Sequence, residues 1–316
     1  DRCGGCTLQH IELGFQRELK VGLAGDTLAH QAGLDLDNGV SLLGEGLPGT
    51  AYRGRITLQV SNQGKIGFIH EASHEVVDID TCLLARPLLN ATLKELRTFA
   101  SLLAGEIERI ILEEFEGRIY VNMGRRNGHA SIKKGKLPRK ILPLAEAFPN
   151  LKITHTQERR ILFEQRNFLE VANDAPPLPC GHFSQVNPEG NEILRELTEA
   201  WAQGERITDL YSGSGNLSLA LAAEGKWVDA VETDRILVEY GRRLALEKGI
   251  QNISFHNITA EEYAAAERIR GTVIMDPPRA GAKDVIPQLS ADGIERVIYI
   301  SCNLPVSYTH LTLPTI

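Results

Sequence analysis

The feature that most constrains the fold of this chain is a glycine turn between a strand and a helix in its C-terminal half. The apolar run Ile207 to Tyr211 predicts a strand, Ser212 to Gly215 interrupts it, and Leu217 to Ala223 has the composition of a helix. Glycines one residue apart let the backbone turn sharply and approach a ligand, while free N–H groups at the helix start can donate hydrogen bonds. Ordinary α/β turns contain the same elements, so the turn alone does not identify a ligand.

An acidic residue at the end of the next predicted strand favours a nucleotide-type site. The strand Trp227 to Val231 is followed by Glu232. A carboxylate at this position can accept hydrogen bonds from both hydroxyls of a ribose, as the acidic residue of dinucleotide folds does. Glu232 and Gly213 are therefore candidate ligand-binding residues, and the alternative for Glu232 is a solvated side chain at a strand end.

The composition indicates a globular chain with more than one domain. The sequence has 316 residues, of which 42% are hydrophobic and 24% charged, and it contains no apolar run of membrane-spanning length. We therefore expect a cytoplasmic protein without a membrane partner. The formal net charge of -7 argues against a surface uniformly adapted to nucleic acid, but it allows a local basic groove. Five cysteines, an odd number, favour metal binding or catalysis over a disulfide framework.

The N-terminal cysteines are candidate metal ligands. Cys3 and Cys6 are separated by two glycines, which allow both thiolates to face one metal ion or cluster, although a redox pair or two reactive thiols would have the same spacing. Cys82 ends a predicted strand that could fold back on the N-terminus, and it is the natural third ligand. An iron–sulfur cluster takes four thiolates. Because the chain begins abruptly without Met, we expect the fourth ligand just upstream of Asp1.

The first half of the chain predicts a helix and a smaller α+β domain. Residues 1–50 contain the cysteine loop, a helix and a glycine-rich linker. Residues 51–174 begin with period-two alternation around the turn Asn62 to Lys65, which predicts an antiparallel hairpin, and an amphipathic helix follows at 88–103. Ten basic side chains of this domain are candidate phosphate contacts: Arg53, Arg55, Lys65, Arg125, Arg126, Lys133, Lys134, Lys136, Arg139 and Lys140. For those from Arg125 onward, a solvated surface without a partner is an equal alternative.

The second half predicts a doubly wound parallel sheet. From the proline-rich linker at 175–179, strands and helices alternate through residues 175–305. Ligands of such sheets bind beyond the carboxyl ends of the strands, which is where the candidate residues of this half fall. Residues 306–316 have no helical period, and we expect them to be a non-native tail.

Two further strand ends carry groups that can do chemistry. Asp276 begins the rigid segment Asp-Pro-Pro-Arg. Many methyltransferases that act on exocyclic amines have an aromatic residue where Arg279 stands here, so amine methylation is the weaker interpretation. Cys302 directly follows an apolar strand at 297–301, and a thiolate at such a strand end could attack an electrophilic carbon. The alternative for a lone cysteine is a buried structural side chain.

Taken together, these motifs resemble the S-adenosylmethionine-dependent RNA uracil-5 methyltransferases, specifically the iron–sulfur branch that acts on 23S ribosomal RNA. The resemblance runs from Cys3 to about Asn303 through seven separated motifs: CGGCTLQH at 3–10, DIDTC at 78–82, FSQVN at 183–187, DLYSGSGN at 209–216, VE at 231–232, DPPRAG at 276–281 and SCN at 301–303. It implies an α/β protein whose Rossmann-like, doubly wound methyltransferase domain is preceded by a smaller α+β domain with an antiparallel sheet.

The resemblance also implies a role for individual residues. Cys302 would be the nucleophile that adds to C6 of uracil, so that C5 can accept the methyl group of S-adenosylmethionine (SAM). Cys3, Cys6 and Cys82 would be three of the four ligands of a structural [4Fe-4S] cluster. The SAM site would be lined by Gln185, Tyr211, Gly213, Asn216, Glu232, Asp276 and, at a position where the family usually has an amide or an acid, Thr259.

The predicted activity is methyl transfer from SAM to C5 of a specific uridine in RNA. We expect 23S rRNA as the substrate, because the transfer-RNA branch generally lacks the cluster cysteines, and we expect a monomer. A tRNA uracil-5 methyltransferase, an amine-directed methyltransferase and a non-catalytic RNA-binding or cluster-scaffold protein are the alternatives. The family's oligonucleotide-binding barrel would precede Asp1 and its catalytic glutamate would follow Ile316. This chain is therefore expected to bind cofactor but to turn over poorly, with a persistent RNA adduct.

Overall fold

The protein is described here by a computed structural model. It describes residues 3–31, 39–71, 73–125, 142–155, 161–164, 182–267, 269–289 and 292–303. The chain forms two compact units, residues 1–11 with 46–189 and residues 12–45 with 190–316. The helix α1 (Leu13–Asp26) and the π-helical turn Thr27–Gln31 that follows it belong to the second unit. The predicted 1–50 segment is thus divided, because the cysteine loop joins the first unit through a backbone hydrogen bond of 3.3 Å from Gly4 to Ile69.

The first unit is built on a seven-stranded sheet with helices. Its strands are β1 (Arg55–Val60), β2 (Ile66–Ile69), β3 (Val76–Asp78), β4 (Ile107–Phe115), β5 (Arg118–Arg125), β6 (Leu151–His155) and β7 (Ile161–Glu164), and its helices are α2 (Pro87–Thr98), α3 (Ala100–Leu103) and α4 (Leu142–Ala147). The strand order is β3-β2-β1-β4-β5-β6-β7. Neighbouring strands are antiparallel except β5 and β6, which are parallel. The antiparallel sheet predicted from the period-two alternation is confirmed.

The helix α2 packs on one face of this sheet, and the apolar side chains between them form the core of the first unit. The alternation in β1 buries Ile56, Leu58 and Val60 on a common face. The residues Leu89, Leu93 and Leu96, which are spaced along one side of α2, are fully buried in the same cluster. The first unit therefore has its own hydrophobic core.

The second unit contains a five-stranded parallel sheet with helices between its strands. The elements are α5 (Pro188–Trp201), β8 (Arg206–Leu210), α6 (Ser218–Ala223), β9 (Trp227–Val231), α7 (Arg235–Glu247), β10 (Ile253–His256), α8 (Ala260–Ala266), β11 (Gly271–Met275) and β12 (Ile294–Tyr299), with a 3₁₀ turn at Ile286–Gln288. The strand order β10-β9-β8-β11-β12 runs in opposite directions on the two sides of β8. This is the predicted doubly wound sheet, and its switch point, where such sheets bind ligands, lies between β8 and β11.

The differences from the predicted elements are small where the residues are described. The amphipathic helix predicted at 88–103 is divided into α2 and α3, which meet at Phe99. None of the described helices is both long and apolar enough to cross a membrane. The predicted linker at 175–179 and the predicted tail at 306–316 lie outside the described residues.

Candidate functional site

The glycine turn after β8 is tied to the end of β9 by two hydrogen bonds. The backbone N–H of Ser212 donates to the carbonyl of Val231 at 3.0 Å, and the N–H of Gly213 donates to Glu232 Oε2 at 3.1 Å. The other oxygen of Glu232 accepts the N–H of Asp234 at 2.8 Å, directly before α7. The structure thus brings together Gly213 and Glu232, the two residues that the sequence singled out first.

The two glycines of the turn serve different purposes. Both have left-handed backbone angles, with φ of 58° at Gly213 and 88° at Gly215. A Cβ added at Gly215 would lie 3.0 Å from Leu219 and 3.1 Å from Phe255, so this glycine allows close packing of helix and sheet. A Cβ at Gly213 would meet no atom within 4 Å. The space in front of Gly213 is open, as the approach of a ligand to the backbone requires.

A buried carboxylate lies beneath the turn. Asp209 in β8 is 1% exposed, and neither of its carboxylate oxygens has a hydrogen-bond partner among the described residues. Burial raises the pKa of Asp209 to about 7, and the charges of Asp276 and Glu232 add to this increase. The nearby hydroxyl of Ser218 acts in the opposite direction, although it does not complete a hydrogen bond with the carboxylate. An unpaired buried acid is costly, and such groups are typical of functional sites.

Two side chains beside the turn are held by residues that the sequence did not single out. The hydroxyl of Tyr211 donates to Glu261 Oε1 at 3.2 Å. Asn216 and Asn191 exchange two amide hydrogen bonds of 2.8 and 3.0 Å. Glu261 lies in the first turn of α8 and Asn191 in α5. The neighbouring sequence does not indicate a site role for Glu261 or Asn191, because each contacts a residue more than twenty positions away in the chain.

Asp276 and Cys302 follow neighbouring strands. Met275 pairs with Leu210 on one side and with Tyr299 on the other, so the carboxyl ends of β8, β11 and β12 are aligned. The N–H of Ile300 donates to the carbonyl of Met275 at 2.8 Å. This hydrogen bond keeps the chain that leaves β12 next to the start of the Asp276 segment. Cys302 comes two residues later at the same edge of the sheet as the glycine turn.

The thiol of Cys302 is available for reaction. It is exposed and free, so the alternative of a buried structural cysteine is wrong. The Ser301 hydroxyl accepts the N–H of Asn303 at 3.0 Å and donates to its carbonyl at 3.1 Å, which closes a tight turn around Cys302. Cys302 therefore lies at the apex of an exposed turn.

Thr259 has a structural role in this structure. It is the N-cap of α8: its hydroxyl accepts the N–H of Glu262 at 3.0 Å, and the carboxylate of Glu262 accepts the N–H of Thr259 at 2.9 Å. Nearby, Asn257 donates from its amide to the carbonyls of Glu232 and Thr233 at 3.0 and 2.9 Å. Asn257 therefore fixes the end of β9, while the Thr259 hydroxyl is already engaged in capping.

The remaining predicted cofactor residue, Gln185, belongs to the first unit. Its neighbour Ser184 accepts a hydrogen bond of 3.0 Å from Arg55 and donates one of 2.5 Å to Glu113. Arg55 also donates to the carbonyl of His182. Burial raises the pKa of Glu113, while the Arg55 charge and the Ser184 hydroxyl act in the opposite direction. The segment that carries Gln185 is thus anchored on β1 and β4.

The three predicted cluster cysteines lie close together in the first unit. Cys3, Cys6 and Cys82 are partly buried, free thiols. Burial raises the pKa of Cys6, the charges of Cys82 and then Cys3 raise it further, and Arg53 lowers it, so Cys6 lies within electrostatic range of both other cysteines. Asn90 of α2 fixes the backbone of Cys82 by accepting its N–H at 2.8 Å and donating to its carbonyl at 3.0 Å.

The cysteines do not form a site for a single metal ion. Over the described residues, no three His, Cys, Asp or Glu side chains converge in a way that could hold one ion. All three are soft thiol donors, the ligand type of iron–sulfur clusters.

Some predicted phosphate contacts are engaged inside the protein. Arg125 is 6% exposed and forms a 3.0 Å ion pair with Glu106, so the prediction that it contacts phosphate is wrong for this conformation. Lys65 pairs with Glu75 at 3.0 Å on the surface. Arg126, Lys133, Lys134, Lys136, Arg139 and Lys140 lie outside the described residues.

Comparison with known protein families and sequences gives consistent matches. The model of the family described as tRNA (Uracil-5-)-methyltransferase matches residues 180–311. The chain is 31% identical over 336 residues to the 23S rRNA (uracil(1939)-C(5))-methyltransferase RlmD of Shewanella amazonensis, covering 96% of this chain and 71% of that protein. The protein of the same name from Pectobacterium atrosepticum is 30% identical over 339 residues, covering 96% of this chain and 69% of that protein.

The fold also matches a solved structure. The crystal structure of Pyrococcus abyssi tRNA (uracil-54, C5)-methyltransferase in complex with S-adenosyl-L-homocysteine superposes with a TM-score of 0.74 and 23% sequence identity. The match covers 97% of this chain and 77% of that one. At this level of identity the match supports the fold.

Proposed function

We propose, from the premise that this chain belongs to the family of SAM-dependent RNA uracil-C5 methyltransferases, that it methylates C5 of a uridine in 23S rRNA with Cys302 as its nucleophile. The observation that carries the proposal is the shared sheet edge. The open glycine turn, the carboxylate of Glu232 and the exposed thiol of Cys302 all follow aligned carboxyl ends of one parallel sheet.

The residues present at this edge suit SAM. The open space in front of Gly213 leaves room for the cofactor, and the carboxylate of Glu232, which is bound to this turn, is of the type that accepts ribose hydroxyls. Tyr211 and Asn216 flank the turn, and Asp276 follows the adjacent strand. We include Gln185 and Thr259 as further cofactor residues on the resemblance of their motifs alone.

The chemistry requires a nucleophile because C5 of uracil alone is a poor one. The Cys302 thiolate adds to C6, and the electron pair of the C5–C6 double bond moves onto C5 and the adjacent carbonyl as an enolate. C5 then takes the methyl group, and the sulfonium leaves as neutral S-adenosylhomocysteine. A base removes the C5 proton, the double bond re-forms, and the thiolate is expelled. In a folded RNA the target base must be unstacked first.

The choice of 23S rRNA is supported by the relatives named above, which act on uracil 1939 of that RNA. The tRNA alternative is supported by the description of the matching family model. The two substrates can be distinguished directly because the reaction leaves a methyl group on one uridine.

The expected result of a transfer assay is incorporation of label from methyl-tritiated SAM into a 23S rRNA fragment, either released or still joined to the protein, and little into tRNA. Nucleoside mass spectrometry of the product should identify 5-methyluridine. Label confined to tRNA would show that tRNA, and not 23S rRNA, is the substrate. A methylated exocyclic amine would support the amine-directed alternative. SAM binding without label in either RNA would favour the non-catalytic alternative.

We also propose that Cys3, Cys6 and Cys82 bind a structural [4Fe-4S] cluster. The support is the thiol chemistry of the three residues, the electrostatic influence of Cys82 and Cys3 on Cys6, and the hydrogen bonds by which Asn90 fixes the backbone of Cys82. When bound, the cluster would tie the cysteine loop to the sheet of the first unit.

Protein purified without oxygen is expected to contain iron and acid-labile sulfide and to absorb in the visible region. Cys82→Ser should lose most of the iron because one of the ligands is removed. Cys302→Ser is the matched control, since it removes a thiol from the other unit and should keep the metal content. Equal iron in both variants, or none in the unaltered protein, would contradict the proposal.

A further inference from the structure

We propose that Glu261 is a positioning residue for SAM, which it serves by holding the aromatic ring of Tyr211 at the glycine turn. The inference rests on the proposed function and assigns a role to a residue that does not itself line the turn. The basis is a strained backbone, a single hydrogen bond and the packing around one ring.

The backbone of Tyr211 is strained. Its φ of 66° lies in the left-handed region, which a residue with a bulky side chain rarely adopts. Residues held in such conformations persist only where the surroundings determine them, and they concentrate at ligand-binding sites. Tyr211 directly follows the last residue of β8 and precedes the glycine turn, so the unusual angle lies where the strand gives way to the turn.

The Tyr211 side chain is fixed at both ends. Next to its backbone, the N–H of Ser212 donates to the carbonyl of Val231 at 3.0 Å. At the other end, the hydroxyl donates to Glu261 Oε1 at 3.2 Å. The ring packs against the buried cluster that includes Leu210, Val231 and Met275 and is only partly buried. A rigid aromatic surface therefore stands beside the turn.

The hydroxyl lies in an acidic environment. Burial raises the pKa of Tyr211, and the charge of Glu261 and its hydrogen bond raise it further, so the phenol remains a donor throughout the neutral range. A phenol that always donates and a carboxylate that accepts form a charge-assisted hydrogen bond. Such a bond holds the ring in one orientation and so reduces the entropy that cofactor binding would otherwise cost.

Glu261 is itself well placed for this task. It lies in the first turn of α8, whose start is fixed by the reciprocal capping of Thr259 and Glu262. A negative charge in the first turn is also favoured by the helix dipole. The position of the Glu261 carboxylate is thus set by α8 and does not depend on the Tyr211 ring.

A double-mutant cycle on SAM affinity tests this inference. Glu261→Ala and Tyr211→Phe should each weaken SAM binding about five- to tenfold, because each removes the same hydrogen bond. The double variant should bind no more weakly than either single variant, since the bond can be lost only once. Glu261→Gln should stay within about twofold of the unaltered protein because the amide oxygen can still accept from the phenol.

Isothermal titration with SAM gives these affinities, and thermal melting of each variant separates loss of fold from loss of affinity. Glu247→Ala is the control, since it removes an exposed carboxylate from α7. Additive effects, or unchanged affinity with a lowered melting temperature, would reduce Glu261 to a structural residue and overturn the inference alone. Absence of SAM binding by the unaltered protein would overturn the proposed function as well.

Discussion

Replacing Cys302 by alanine is expected to abolish methyl transfer to RNA while leaving SAM affinity within about twofold. The thiolate is required to make C5 of uracil nucleophilic, so its loss should lower the rate by at least about a thousandfold. The thiol is exposed, so its removal leaves no cavity in the core and the fold should be unaffected. Tritium transfer to a 23S rRNA fragment and titration with SAM measure the two quantities separately.

Cys302→Ser is the informative companion variant. The hydroxyl has nearly the size of the thiol but is almost fully protonated at neutral pH and far less nucleophilic, so this variant should be as inactive as alanine. Methyl transfer that survives either substitution would assign the reaction to a mechanism without a covalent adduct, as the amine-directed alternative requires.

Asp209→Asn is expected to make the stability of the second unit less dependent on pH. The folded pKa of about 7 lies above the ordinary value of 3.8, so the folded protein binds a proton between these values that the unfolded chain has released. The stability that this proton provides is fully present below pH 3.8 and is lost as the pH rises through 7. An asparagine at position 209 is neutral throughout and does not incur this loss.

The expected size of the effect follows from the shift. Each unit of pKa difference corresponds to about 1.4 kcal/mol, so between pH 5 and 8 the variant should gain roughly 3 kcal/mol of unfolding free energy relative to the unaltered protein. Urea denaturation at the two pH values measures it. The exposed Asp284 provides the control, since Asp284→Asn should show no such gain. An equal loss of stability by Asp209→Asn at both pH values would mean that the carboxylate forms bonds that the amide cannot replace.

The parts of the site that could be predicted from sequence are those encoded locally. The turn at Gly213 and the acidic strand end at Glu232 are predictable because strand, glycines and helix are neighbours in the chain, and the doubly wound sheet brings the two together. The proximity of Cys302 to Asp276 is predictable in the same way, since parallel strands end at a common edge.

What could not be predicted depends on partners distant in sequence. Glu261 and Asn191 look like ordinary helix residues until the fold places Tyr211 and Asn216 against them. The reverse applies to Arg125, whose position in a basic segment indicated a phosphate contact although the sheet buries it beside Glu106. Charge patterns along a sequence do not reveal which charges pair, because pairing is a property of the tertiary structure.

The central claim, that Cys302 and the glycine turn act on one uracil base, is tested most directly by trapping the covalent complex. An RNA carrying 5-fluorouridine at the target position should accept the thiolate and the methyl group, but fluorine cannot leave as a proton does, so the adduct should persist. Mass spectrometry should then show the protein joined to the RNA with one added methyl group, the attachment at Cys302 and a requirement for SAM. No adduct, or an adduct at another residue or of equal yield in Cys302→Ala, would contradict the account.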